Sequence, residues 1–78
     1  MPRGFYNWTA EDVIRFLKEN GFLHNHTRGS HFYYVGKYGK EFRQVCIPFH
    51  GKRALKPRLL KGIIAQSGIP KDRWLNWR

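Results

Sequence analysis

Gly29-Ser30-His31 sets one imidazole directly after a glycine turn and at the head of an aromatic run, Phe32-Tyr33-Tyr34-Val35. An imidazole has a reference pKa of about 6.5 and can give or take a proton near neutral pH. RNA carries its own nucleophile, the 2′-OH. A catalyst has only to help deprotonate it, stabilise the phosphorane charge and return a proton to the leaving 5′ oxygen. Acid–base help of this kind contributes about 10²–10⁴-fold, and nearby lysine or arginine stabilises the extra charge. This chemistry calls for no metal and no cofactor. Type and position alone still favour an ordinary strand histidine, so the surroundings of His31 carry the question.

The other candidate ligands and nucleophiles read more plainly. His24 and His26 alternate onto one face of a short strand, which raises the question of metal. Zinc sites take four ligands, commonly with cysteine or carboxylate support. This chain has one cysteine, no ligand-spacing motif and a cationic surround, so no metal site is expected. Cys46 lies between Val45 and Ile47 and reads as a buried structural thiol. A single cysteine fits a cytosolic chain. No apolar run approaches membrane-spanning length, and the N-terminal stretch lacks the apolar core of a signal peptide.

The charge is segregated. Residues 1–36 hold four basic against three acidic side chains, whereas residues 37–78 hold eleven against two, out of a total of +10. Clustered like charges repel, so the arrangement costs stability unless a polyanion uses it. Lys37, Lys40, Arg43, Lys52, Arg53, Lys56, Arg58 and Lys61 form this field, with only Glu41 among them. Nucleic acid is the expected partner. A membrane surface fits less well, because the basic half has no long amphipathic helix. The field by itself confers affinity for phosphate and no base specificity.

The elements that position these residues follow from local signals. At 78 residues the chain allows one domain, with a core over about 9–69 and a tail over 70–78. A chain of this size buries only about 60% of its unfolded surface, so a site on it is a shallow surface. Thr9 caps a helix over 10–20, with Glu11 and Asp12 in its first turn. Trp8 and Val13 occupy the hydrophobic-staple positions, and Gly21 stops the helix. Phe22–His26, Ser30–Val35 and Glu41–Phe49 read as strands, joined by turns at Thr27-Arg28-Gly29 and Gly36–Lys40. Pro57 suits the first position of a second helix, which Gly68 closes. Gly62 inside it costs roughly 1 kcal/mol relative to alanine, which predicts a packing reason.

The order is thus α-β-β-β-α, an α+β fold with a three-stranded antiparallel sheet and two helices on one face. Alternation puts His31, Tyr33 and Val35 on one side of the second strand and Phe32 and Tyr34 on the other. The more apolar set meets the helices, which leaves His31 and Tyr33 on the open face, where Tyr33 can stack a base. Either Arg43, or Phe42 and Gln44, share that face, depending on strand register.

Three blocks resemble the HicA (YcfA-like) toxins of bacterial toxin–antitoxin systems. Phe16-Leu17-Lys18-Glu19-Asn20-Gly21-Phe22 is similar to the end of the family's first helix. Arg28-Gly29-Ser30-His31-Phe32-Tyr33-Tyr34 is similar to its glycine-serine-histidine core. Ile47-Pro48-Phe49-His50-Gly51, followed by Leu55-Lys56-Pro57 and Leu59–Ile64, is similar to its second histidine motif and the helix after it. The resemblance implies a fold like a double-stranded-RNA-binding domain and an mRNA interferase with His31 as the catalytic residue, supported by Gly29 and Ser30. It also implies a HicB-type antitoxin that covers the site. His50 receives no catalytic role and is expected to brace its loop. Gly62 departs from the family's usual polar residue, and the tail with Trp74 and Trp77 runs past the usual end, to pack on the core or to meet the antitoxin.

The expectation is therefore a metal-independent endoribonuclease that cleaves single-stranded or weakly structured mRNA. The rivals are a module of the same fold that binds RNA without cutting it, and a degenerate homologue that only engages an antitoxin.

Overall fold

The computed structural model describes residues 7–49 and 51–77, so the expectation for His50 lies outside the described residues. Helix α1 spans Ala10–Glu19, strands β1, β2 and β3 span Leu23–Arg28, His31–Tyr38 and Glu41–Pro48, and helices α2 and α3 span Pro57–Ser67 and Lys71–Leu75. The strands form one antiparallel sheet in the order β1-β2-β3. The expected α+β topology is present, with an added short helix in the tail.

Helix α1 starts where its cap chemistry dictates. The Asp12 N–H donates to Thr9 Oγ1 at 3.2 Å, and the Thr9 N–H donates to Asp12 Oδ2 at 3.0 Å. Such a capping box satisfies two otherwise orphaned donors and contributes about 0.5–2 kcal/mol. Trp8 and Val13 on either side of the cap are both fully buried, as a staple requires. The loop before α2 is tied back to this end of the helix, since the Leu55 N–H donates to the Trp8 carbonyl at 2.6 Å and Thr9 bridges Ala54.

Both hairpins close through two residues with glycine leading: Gly29 at φ 61° and Gly39 at φ 70°. A glycine at the first central position suits the turn whose twist matches the flanking strands. The turns are therefore shorter than the sequence suggested. Thr27 and Arg28 belong to β1, and Gly36, Lys37 and Tyr38 belong to β2. Gly36 is not a turn residue: a Cβ there would lie 2.6 Å from the Phe22 ring, so its small size lets that ring lie against the strand.

One sheet face carries Tyr34, Val45 and Ile47, which are buried with Val13, Phe16 and Leu17 of α1 and Leu60, Ile63 and Ile64 of α2. Both helices lie on this face, as expected. The β3 edge is partly closed by α2, because the Cys46 N–H donates to Gln66 Oε1 at 2.9 Å. Every residue of β1 is exposed, so that strand projects beyond the helical layer. Among the described residues the packing neighbour expected for Gly62 is absent, as a Cβ there meets nothing within 4 Å.

The tail packs on the core. Trp74 is fully buried, its ring 4.2 Å from that of Phe16 and 5.6 Å from that of Trp8. Trp77 stacks on Trp8 at 5.4 Å and donates from Nε1 to Glu19 Oε1 at 2.9 Å.

Candidate functional site

Strand register decides which side chains share the open face. Directly opposed residues of an antiparallel pair point the same way. One row runs Arg28–His31–Pro48, the next His26–Tyr33–Cys46, the next Leu23–Val35–Gln44, and Lys37 opposes Phe42 beyond them. His31 is exposed and stands at the first position of β2, where the two-residue turn brings Arg28 directly opposite it. The two residues therefore project from the same face of the hairpin, the one that the helices leave uncovered. Gly29 and Ser30 form the turn between them and make that pairing possible.

The second row is a layered aromatic patch. The His26 ring lies on the Tyr33 ring with centroids 4.4 Å apart and planes 10° from parallel. The His26 Nδ1 position is held by Asn25 Oδ1. A hydrogen bond with the Cys46 side chain raises the Tyr33 phenol above its ordinary value, and the Cys46 charge and burial push it the same way. The Arg28 cation pulls it the other way. Cys46 is half-buried and paired across the strand with Tyr33, rather than sealed in the core as its sequence neighbours suggested.

His24 and His26 do not share a face. A bulge between them shifts the register, pairing His24 with Tyr34 and His26 with Tyr33. One extra residue in a strand reverses the alternation beyond it. His24 accordingly turns to the other side, with its ring 5.9 Å from Phe32 and 5.4 Å from Tyr34, and its Nε2 pairs with Thr27 Oγ1 at 2.8 Å. Among the described residues no three histidine, cysteine, aspartate or glutamate side chains gather as a metal site would need.

The basic field divides between different surfaces. Lys37 and Lys40 are exposed, Lys37 in the Phe42 row and Lys40 in the second turn. Arg43 opposes Gly36, so it lies on the helical side of the sheet, away from His31. There it pairs with Glu41 and presses against Gly68, where a Cβ would lie 2.3 Å from Arg43 Nε. The alternative in which Phe42 and Gln44 share the open face is the one realised. Lys52, Arg53, Lys56 and Arg58 are exposed in the loop before α2 and in its first turn. Lys61 lies along a different side of α2, near Ile64, Ala65 and Lys71.

Sequence reading passed over Arg28 and His26. Arg28 was placed inside a turn, although residues flanking a two-residue glycine turn face each other across the hairpin. His26 could be separated from His24 only by the bulge, which has no signal in residue type.

Among the described residues no helix is long and apolar enough to cross a membrane. No curated protein matches the chain. A model of the HicA toxin of bacterial toxin–antitoxin systems matches residues 10–69. That span runs from the first residue of α1, through the sheet and its glycine-serine-histidine turn, to the residue after the α2 stop. It covers most of the chain, which therefore belongs to the HicA toxin family, one half of a toxin–antitoxin pair.

Proposed function

We propose that this toxin is an endoribonuclease that cleaves mRNA on the open face of its sheet, with His31 as the acid–base group. The observation that carries the reading is the register pair: an exposed imidazole and a guanidinium directly opposed beside a tight glycine turn. In the proposed step the 2′-OH oxygen attacks the adjacent phosphorus and loses its proton, and the P–O5′ bond breaks. The products are a 2′,3′-cyclic phosphate and a 5′-OH that has gained a proton. His31 serves one or both proton transfers, and Arg28 holds the non-bridging oxygens as charge builds on them.

The open face suits single-stranded or weakly structured RNA. Its Tyr33–His26 stack offers a ring surface to an unpaired base, and base–aromatic stacking tolerates any base. Lys37 and the exposed cations ahead of α2 draw the phosphate backbone without reading sequence. The RNA nucleophile is internal, so the reading calls for no metal. This chemistry and the toxin's place in the cell would put the protein in the cytoplasm with its mRNA.

The test is cleavage of a labelled RNA by purified wild type and His31→Ala in the presence of EDTA. His31→Ala is expected to lose about 10²-fold or more of the cleavage rate while keeping its thermal melt. Retained cleavage by a folded His31→Ala protein removes His31 from the chemistry. Intact RNA at saturating wild-type protein makes the domain a binder, or a partner of the antitoxin alone.

A further inference from the structure

Gly62 is a helix-interior glycine that no neighbour among the described residues requires. It is exposed, its φ is not left-handed, and a Cβ there meets nothing within 4 Å. The space above it is a groove of about 410 Å³ between α2 and the β3 edge, lined by Cys46, Leu59, Gly62, Ile63 and Gln66. A second hollow of about 270 Å³ adjoins it across Leu59, which is 39% exposed although apolar. Lys56 and Arg58 stand on the rim. Among the described residues neither has a carboxylate partner.

We infer that this groove is the seat of the antitoxin, taking an acidic segment that carries a large apolar side chain. The floor is largely apolar, with the Gln66 amide at its edge, so beyond the two rim cations it offers a phosphate little. An apolar floor with an uncompensated basic rim fits an apolar anchor flanked by aspartate or glutamate. The missing side chain at position 62 is what lets such an anchor reach the helix backbone. Cys46 lines the groove and is the cross-strand neighbour of Tyr33, so a segment seated there borders the row next to His31. The inference rests on toxin–antitoxin membership and is independent of whether the chain cuts RNA.

The experiment titrates the full-length chain with its cognate antitoxin protein, and separately with a labelled single-stranded RNA. Gly62→Met fills the groove with a good helix former, and Leu59→Ala removes the exposed apolar contact. Each is expected to weaken antitoxin binding about tenfold or more, with RNA affinity and cleavage unchanged. Arg58→Glu reads the charge requirement and is also expected to weaken antitoxin binding. Circular-dichroism melts confirm folding, and Leu59→Ala carries the test if Gly62→Met does not fold. Wild-type antitoxin affinity in both folded groove variants overturns the proposal. So does a loss confined to RNA affinity, which would make the groove a nucleic-acid surface. Wild-type antitoxin affinity in Arg58→Glu overturns the acidic chemistry. If the wild type cuts no RNA, the ribonuclease reading fails while the antitoxin titration still decides this one.

Discussion

At the scale of the residue, the basic residue in register with His31 is the informative result. Eleven basic side chains lie after residue 36, yet the one in register with His31 comes from the nearly neutral first half. Charge density marks where a polyanion is drawn. It does not mark which cation stands opposite His31, because that depends on strand pairing. Arg28→Ala is therefore expected to lower the RNA cleavage rate by at least about tenfold, with Arg28→Lys intermediate because a point charge replaces a planar fork. Arg43→Ala, on the opposite side of the sheet, should leave the chemical step nearly unchanged and reduce the melting temperature. Single-turnover cleavage alongside thermal melts separates the two effects. Equal rate losses in both variants would remove Arg28 from its proposed place.

At the scale of the element, β2 is the strand that both builds the core and presents the site. Tyr34 faces the helices, and its burial raises the phenol above the ordinary 10.0. The folded protein thus holds that proton more tightly than the unfolded chain does. The stability tied to this difference is fully present below the unfolded value and is lost as pH climbs through the folded one. Tyr34→Phe lacks the ionisation. Melts taken from about pH 8 to pH 11 should show the wild type falling relative to Tyr34→Phe at the alkaline end. Parallel curves would contradict a buried, neutral phenol. The alternation of β2 was readable from its residue types, because one strong apolar set and one polar set leave a single sensible facing. The strand's end was not. Gly36 resembles a turn residue by type and is in fact a strand residue against which the Phe22 ring is packed, a cross-strand contact that exists only once Leu23 pairs with Val35.

At the scale of the whole molecule, the segment beyond the family span closes the core. Trp74 and Trp77 meet Trp8 and Phe16, which joins the two ends of the described chain through one aromatic cluster. Among the described residues the buried Trp74 Nε1 has no hydrogen-bond partner, and an unpaired buried donor costs about 1–3 kcal/mol. The packing of its ring exceeds that cost. Trp74→Ala should destabilise the protein by about 3–5 kcal/mol, as for other buried aromatic truncations. Urea unfolding is the measurement, and a change below about 1 kcal/mol would show that the tail is not part of the cooperative unit. The core's dependence on this segment also means that trimming the chain to the family span is expected to weaken the fold before it affects the site.

Thr9, Gly21, Pro57 and Gly68 specify helix ends by chemistry that acts within a few residues, so the two main helices could be read directly. The apolar positions of α1, β2 and α2 likewise determined which faces meet, and the glycine-serine-histidine block with its flanking motifs pointed to the toxin family. Tertiary structure decided what depends on pairing between separate segments. The bulge sends His24 and His26 to opposite faces, the register places Arg28 opposite His31 and Arg43 opposite Gly36, and the space over Gly62 opens only where α2 meets the edge of β3. The physical reason is common to all three. Residue type states what a side chain can do, whereas a shift of one position in a strand reverses its direction, and nothing local to that side chain records the shift.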